Sequence, residues 1–216
     1  LLNSVYGFAG IGITPGTNSI SHPNGISPLL VGSNEVGSFS YDGFDNAASI
    51  GGYLYIDALP MVDLDLEFNV KVAPYYFSFE NAVSSQDSMQ FVWASTTLYM
   101  TITKNLLKTS VPFLAKMRMF AGGGLNTHNS TPMVNQAMLE AMMNGDIENG
   151  TFNENKMIEY LNENKIETGG FHIQLGAQFK LLVFDSMLIY RRVFTDGITP
   201  NTNGFNNFNL RLGYGL

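Results

Sequence analysis

Val-Asp-Leu-Asp-Leu-Glu-Phe-Asn-Val-Lys-Val, at residues 62–72, is the stretch that decides the fold class. Successive side chains on a β-strand point to opposite faces, so this stretch predicts a strand with one apolar face and one mostly charged face. The apolar face carries Leu64, Leu66, Phe68, Val70 and Val72, and the opposite face carries Asp63, Asp65, Glu67, Asn69 and Lys71. The same two-sided pattern returns at residues 171–181 and 208–216, which indicates that it belongs to the architecture as a whole.

The composition favours a membrane barrel over a helical membrane protein. Charged residues make up 13% of the 216 residues, roughly half the usual share of a soluble domain, and aromatic residues make up 12%. The chain contains no apolar run of the roughly 18 residues that a transmembrane helix needs. The other backbone form that satisfies its hydrogen bonds in lipid is a closed β-barrel, and we predict a single domain of this kind over residues 1–216.

The net charge and the absence of cysteine exclude several kinds of site. The formal net charge is -7 and the 11 Lys and Arg residues are scattered, so we predict no nucleic-acid partner. Without cysteine the chain has neither disulfides nor thiolate metal sites. Because Leu1-Leu2-Asn3 lacks the zones of a secretory signal, we expect that a signal peptide has been removed.

Short segments of about ten residues recur along the chain, which is the length that a tilted strand needs to cross a bilayer. The predicted strands span residues 4–13, 47–58, 62–73 with a continuation to 79, 88–102, 113–125, 170–182, 187–194 and 206–216. The links alternate between short ones (59–61, 103–112 and 183–186) and mostly longer, polar ones (14–46, 80–87, 126–169 and 195–205). This order is typical of an all-β, eight-stranded antiparallel up-and-down transmembrane β-barrel with short periplasmic turns and long external loops. Ten strands are the alternative if Val36–Tyr41 forms part of an extra hairpin.

Residues 131–165 predict a short helical hairpin in the third external loop. Thr131 followed by Pro132 indicates an N-cap and a first turn, apolar residues then repeat at helical spacing, and a second helix begins at the cap Asn153. Because a barrel holds its loops rigidly at the root while they vary, we predict that this insert contacts a surface protein partner. The predicted contact residues are Met133, Met138, Met142 and Tyr160.

Alternation alone does not decide which face lies inside, because a soluble lipocalin-like barrel is apolar within and polar outside. In residues 174–180 and 207–215 the polar face mixes Gly with long side chains, as a tapered interior requires. The other face is large and apolar, and it would overfill the interior of an eight-stranded barrel. We therefore predict lipid on the apolar face and an aromatic girdle at the outer interface. The predicted girdle residues are Tyr75, Tyr76, Phe77, Phe79, Phe91 and Trp93.

The chain resembles the small eight-stranded outer-membrane proteins of the OmpA, OmpX and OmpW type. The resemblance rests on the alternation in Asp63–Val72 and Gln174–Lys180, on the glycine-rich opening Tyr6–Gly12 and on the closing Arg211–Leu216. It implies a bacterial outer-membrane location, with outer-membrane lipid and lipopolysaccharide around the barrel and the barrel-assembly machinery as a partner during biogenesis. Members typically end in an aromatic residue, whereas Leu216 ends this chain.

Charged side chains of both signs share the predicted interior. Isolated charges in a narrow, partly dehydrated lumen are costly, so opposite signs are expected to pair. The predicted lumen charge network consists of Asp63, Asp65, Glu67, Lys71, Lys116, Arg118, Lys180 and Arg211, with one of Arg191 or Arg192. This network either fills the lumen or forms the gate of a narrow ion path.

No motif for catalysis or metal binding is present. His22, His128 and His172 are scattered and accompany no nucleophile, zinc or paired-histidine motif, so we predict that the protein is not an enzyme. The acidic turn at residues 145–152 lacks carboxylates at the ligand positions of a calcium-binding loop, so we predict no metal and no cofactor.

The leading functional hypothesis is a structural or surface-interaction barrel with a charge-filled lumen. The first alternative is transport, either through a narrow pore for small solutes or, as the OmpW resemblance implies, through a channel for hydrophobic ones. The second alternative is a soluble lipocalin-like ligand-binding barrel.

Overall fold

The computed structural model describes residues 9–57, 62–111, 114–200 and 202–215. The strands are β1 (Ala9–Ile13), β2 (Gly16–Asn18), β3 (Gly25–Val31), β4 (Asn34–Tyr41), β5 (Ala47–Ile56), β6 (Asp63–Asn81), β7 (Ser85–Val111), β8 (Ala115–Ser130), β9 (Ile166–Leu181), β10 (Phe184–Phe194) and β11 (Phe205–Gly215). The helices are α1 (Gln136–Met142) and α2 (Glu154–Glu163). The predicted strand residues 4–8, 58, 113 and 216, the link 59–61 and the motif residues Tyr6, Gly7 and Phe8 lie outside the described residues.

The described strands close into an antiparallel ring of eight. β1 and β2 act as two halves of one strand, because both pair with β5 on one side and with β11 on the other. Pro15 lies between the halves and has no backbone N–H, so it interrupts the ladder there. From β5 to β11, each strand pairs with the next strand along the chain. The predicted all-β antiparallel barrel with an eight-stranded ring is therefore confirmed.

The register around the ring sets the tilt of the strands. Starting from Ser49 and following paired residues in one direction reaches Ile166 on β9, and following them in the other direction reaches Gly176 on the same strand. This offset of ten residues corresponds to a strand tilt of about 40°. A barrel with eight strands is just wide enough for its own side chains to fill the interior.

The ring is apolar outside and polar inside. On β9, Ile173 and Leu175 are 55% and 56% exposed, whereas Gln174 between them is 3% exposed. The same alternation runs along β6, β7, β8, β10 and β11, and the polar members point into the lumen. The arrangement agrees with the predicted faces and is the reverse of a lipocalin-like barrel.

A hydrophobic cap covers the ring at the end with the long links. It consists of the hairpin β3–β4, the ends of β6 and β7, and residues 131–165, which share one buried core. The hairpin does not join the ring but pairs through β4 with the end of β6. Val36–Tyr41 is therefore part of an extra hairpin, as the ten-strand alternative requires, but this hairpin adds no strands to the barrel. The predicted long loop at 14–46 therefore contains ordered strands.

The predicted aromatic girdle is wrong for five of its six residues. The odd-numbered positions of β6 and β7 stay on the inner face beyond the ring, where the cap covers them. The buried residues are Tyr75, Phe77, Phe79, Phe91 and Trp93, whereas Tyr76 is exposed. Outward aromatic pairs occur elsewhere, at Phe171–Phe194, Tyr190–Phe208 and Phe184–Tyr214.

Several strands are longer than predicted. Residues 103–111 were expected to form a turn, but they continue β7 and pair with β8 across a bulge at Leu106. The bulge explains the error, because it shifts the alternation by one residue and leaves two adjacent leucines, Leu106 and Leu107, both exposed. β6, β8 and β9 likewise continue past their predicted ends into the cap.

The helical insert forms, but its first helix begins later than predicted. Thr131 is not an N-cap, since its backbone N–H donates to the Ala94 carbonyl at 2.9 Å and its hydroxyl accepts from the Ala94 N–H at 3.0 Å. α1 begins at Gln136 with Asn135 as its N-cap, and α2 begins after the predicted cap Asn153. Within the described residues, neither helix is long and apolar enough to cross a membrane.

The predicted partner-contact residues lie mostly in the core of the cap. Met133, Met138 and Met142 are buried there, and Tyr160 is partly exposed. The interpretation of the methionines as a free contact surface is therefore wrong, because the helical repeat that made them look like a surface stripe faces inward.

Candidate functional site

The lower layer of the lumen, at the end with the short links, contains three carboxylates and three cations. Lys116 Nζ lies 2.8 Å from Asp57 Oδ2, and Arg118 forms an ion pair with Asp63. On the neighbouring strands, Lys180 is paired in register with both Lys116 and Asp185. Asp185 also accepts hydrogen bonds from Tyr55 Oη at 2.7 Å and from Gln178 Nε2. The layer is thus joined across the mouth of the barrel by hydrogen bonds and ion pairs.

The middle layer is centred on Glu67. Arg191 donates to both carboxylate oxygens of Glu67 at 3.0 Å, and Arg211 Nε donates to Oε2 at 3.1 Å. Asn209 Nδ2 adds a third donor to Oε1 at 2.8 Å, while Arg211 also reaches Asp65 Oδ2 at 2.9 Å. Glu67 and both arginines have side chains that are 0% exposed. These bonds cross the lumen and leave the Glu67 carboxylate with a full set of donors.

Aromatic rings pack against the guanidinium groups. The Arg191 Cζ atom lies 3.9 Å from the Tyr99 ring centre, and the Arg211 Cζ atom lies 4.7 Å from the Tyr53 ring centre. Arg118 lies similarly between Tyr55 and Phe120. Such contacts stabilise desolvated cations and fill the space between charge layers.

Glycines in the barrel wall make room for these rings. A Cβ atom at Gly10 would lie 2.1 Å from Tyr55 Cε1, and one at Gly176 would lie 2.3 Å from Phe120 Cζ. The mixture of glycine and long side chains in the polar faces is therefore paired across strands, which alternation alone does not predict.

The upper layer, just below the cap, is built around Lys71. Lys71 Nζ donates to Thr97 Oγ1, and Thr97 Oγ1 lies 2.9 Å from His128 Nδ1. His128 Nε2 in turn lies 2.8 Å from Asn126 Oδ1. The Lys71 ammonium group also lies 5.2 Å from the Tyr99 ring centre. Among the described residues, no carboxylate lies within ion-pair distance of Lys71.

All eight residues of the predicted charge network lie in the lumen and are buried. Of the two arginines between which the sequence did not decide, Arg191 lies in the lumen. Arg192 faces outward and contacts Phe194. Sequence reasoning missed Asp57 and Asp185. Asp57 follows Tyr53 and Tyr55 at every second residue, and both tyrosines face the lumen. The alternation therefore predicts that Asp57 also faces the lumen.

His22 lies in the cap and not in the lumen. Its ring stacks on Tyr41 with centres 5.0 Å apart and lies close to Phe44 and Tyr75. Burial lowers the pKa of His22 below its ordinary value. The folded cap therefore favours the neutral form of this imidazole.

The comparisons found neither a matching family model nor a matching curated protein. Similar solved structures are small outer-membrane β-barrels. The N-terminal β-barrel domain of Pseudomonas aeruginosa OprF is 10% identical and has a TM-score of 0.41, with 96% of this chain and 99% of that chain covered. The outer-membrane protein OprG from Pseudomonas aeruginosa is 8% identical and has a TM-score of 0.46, with 98% of this chain and 97% of that chain covered. The attachment invasion locus protein Ail of Yersinia pestis is 8% identical and has a TM-score of 0.44, with 96% of this chain and 99% of that chain covered.

Proposed function

We propose that this chain is an integral barrel of a bacterial outer membrane, where it acts as a structural and surface-interaction protein with a closed lumen. The outward face of the ring supports the membrane placement. On β9 it runs from Phe171 to Leu181 without a charged side chain, and ten residue steps at a tilt of about 40° cover roughly 25 Å. The apolar band of outer-membrane barrels has about this height.

The single observation that carries the closed lumen is the Arg191–Glu67–Arg211 layer. Its three side chains cross the barrel and are 0% exposed, and both arginines are bonded to Glu67. Opening a water-filled path at this level requires buried charges to separate, and removing one partner of such a pair costs about 3–5 kcal/mol. The cap closes the lumen a second time, at the end with the long links, with a hydrophobic core.

Surface interaction is proposed for the cap. Because the methionines are buried, the proposed contact surface of the insert is the outer side of α2, where Ile158 is 56% exposed among acidic residues. The proposed partners are outer-membrane lipid and lipopolysaccharide around the ring, the barrel-assembly machinery during biogenesis and a surface protein at the cap. A nucleic-acid partner is not proposed, since the net charge of the chain is -7.

No enzymatic role is proposed. A catalytic histidine at the outer rim needs access to substrate, but His128 and His172 are buried in the lumen and bonded to Thr97 and Thr101. His22 is buried among aromatic rings in the cap.

Two measurements test the proposal. After cell lysis, the protein should remain with the membrane fraction through alkaline washing and require detergent for release; recovery in the aqueous fraction would contradict the membrane placement. Reconstituted in a planar bilayer, it should show near-zero conductance, and a double variant Asp65→Ala with Glu67→Ala should conduct more. Stable conductance steps in the unmodified protein would instead support the narrow pore.

A further inference from the structure

The upper layer of the lumen holds a cation that the fold leaves without a counter-charge. Among the described residues, the lumen contains six cations and five carboxylates. The cations are Lys71, Lys116, Arg118, Lys180, Arg191 and Arg211, and the carboxylates are Asp57, Asp63, Asp65, Glu67 and Asp185. Lys71 is 0% exposed, so water at the surface does not solvate it.

The nearest carboxylate to Lys71 along its own strand is already saturated. Glu67 accepts from Arg191, Arg211 and Asn209 at 2.8–3.1 Å and also from Asn69. A carboxylate offers about four lone-pair sites, so it has no capacity left for an ammonium group. The observed partner of Lys71 is the neutral hydroxyl of Thr97.

The hydrogen-bond chain from Lys71 orients further donors. If Thr97 accepts from Lys71, its hydroxyl hydrogen donates to His128 Nδ1, and His128 Nε2–H then donates to Asn126 Oδ1. Because the Asn126 amide oxygen faces His128, the amide nitrogen with its two hydrogens faces away from His128. This nitrogen has no partner among the described residues. The chain therefore ends in a buried, unused donor.

Other unused donors lie on neighbouring inner-face positions. Ser49 is paired directly with Lys71, and Tyr99 is paired directly with Asn126. The Ser49 and Tyr99 hydroxyls are buried without a partner in the described part of the chain. Native proteins leave few buried polar groups unpaired, so unpaired donors at paired positions next to an unneutralised cation indicate a bound acceptor. The Asn69 amide oxygen is also unpaired and would accept from a water that accompanies this acceptor.

We propose that the upper layer binds one small monovalent anion of chloride size, with Lys71 as its counter-charge and Ser49, Tyr99 and Asn126 as neutral donors. A single negative charge balances the lumen. A monoatomic ion suits the site because the side chains of the site are buried beneath the cap. Such an ion also demands no fixed geometry from its donors. The proposal concerns the interior alone and does not depend on what surrounds the barrel.

Bromide is the direct probe. In crystals of the full chain grown from detergent and soaked in sodium bromide, an anomalous peak is expected within hydrogen-bond distance of Lys71 Nζ. A peak is not expected in the Lys71→Met protein. Bromide peaks confined to the outer surface would overturn the proposal.

Stability gives a second readout in solution. At constant sodium concentration, replacing gluconate by chloride should raise the Tm of the detergent-solubilised protein in a saturable way. At tenfold above Kd, the equilibrium constant for unfolding should fall by about 11-fold. Lys71→Met should abolish this response, whereas Lys180→Met, which changes a lumen lysine at the opposite end, should retain it.

A milder variant covers the case in which Lys71→Met does not fold. Tyr99→Phe removes one unpaired hydroxyl and keeps the ring against Arg191, so it should fold and require a higher chloride concentration for the same rise in Tm. An identical chloride response in the unmodified protein and in Tyr99→Phe, together with no bromide at Lys71, would overturn the site.

Discussion

Glu67 shows most clearly how a single residue holds the interior together. It neutralises two buried guanidinium groups, and its removal leaves Arg191 without a carboxylate partner and Arg211 with Asp65 alone. We expect Glu67→Gln to lower the free energy of unfolding by about 3–5 kcal/mol, measured by urea unfolding in lipid vesicles. Glu80→Gln changes an exposed carboxylate on the same strand and should leave stability nearly unchanged. Equal effects of the two substitutions would contradict the assigned role of the middle layer.

Gly124 tests the close approach of β8 to β7. A Cβ atom at Gly124 would lie 1.8 Å from the Met100 backbone oxygen, so the neighbouring strand would have to move. We expect Gly124→Ala to destabilise the barrel by about 1–3 kcal/mol in the same unfolding assay. At Gly52 the nearest atom to an added Cβ is the Gly12 oxygen at 3.6 Å, so Gly52→Ala is the matched control and should be close to neutral.

His22 predicts a pH dependence of the cap. Its pKa is lowered in the folded cap, so the opened cap binds more protons and the stability of the cap falls as pH drops below about 6.5. Above that pH the contribution is retained. The single Trp, Trp93, contacts Phe44 in the same aromatic cluster as His22, and its fluorescence should shift to longer wavelength on acidification. The shift should be smaller in His22→Phe; identical profiles would show that another group controls the transition.

At this scale the lumen residues could be predicted because parity on a strand determines the face of each side chain. The choice between Arg191 and Arg192 could not, because β10 has apolar residues at both parities. Met187 and Ile189 are buried with Arg191, whereas Leu188 and Tyr190 face outward with Arg192. Pairing partners such as Gly10 with Tyr55 depend on register, which one sequence does not contain.

The elements of the cap depend on a core that belongs to none of them alone. Met138 in α1 is 0% exposed, and Gln136 of the same helix exchanges hydrogen bonds with the backbone of Leu30 in β3. We expect Met138→Ala to destabilise the cap by about 2–5 kcal/mol while the ring stays folded. Faster protease cleavage within residues 131–165 should report the loss, with unchanged heat-modifiable migration of the barrel on gels. Ile158→Ala, at an exposed site of α2, is the control and should not accelerate cleavage.

Element positions in the ring followed from alternation, but element ends did not. Thr131 has the residue type of an N-cap, yet its hydroxyl pairs with Ala94 because β8 still has a neighbouring strand there. β3 contains Pro28, which argues against a strand in the middle of a sheet but is tolerated on an edge. Competition between local propensity and tertiary pairing decides both cases, and the sequence shows only the propensity.

The whole molecule places its charges unevenly, and this supports the proposed orientation. The carboxylates outside the lumen lie in the cap and the long links, among them Glu35, Asp42, Asp87, Glu154 and Asp196, whereas Lys104 and Lys108 lie near the opposite mouth. The ring between these ends is apolar outside and ion-paired inside. A molecule with this distribution is suited to span a low-dielectric layer and to expose an acidic cap on one side.

The most direct test of a membrane barrel with a closed lumen is nitroxide accessibility along β9. The chain has no cysteine, so single-cysteine variants at Ile173, Gln174 and Leu175 can each be spin-labelled and reconstituted in lipid vesicles. Labels at positions 173 and 175 should collide readily with oxygen dissolved in lipid and poorly with a water-soluble nickel complex. The label at position 174 should be shielded from both. High nickel accessibility at position 174 would show an open, water-filled lumen, and high nickel accessibility at positions 173 and 175 would show that the apolar face is not in lipid.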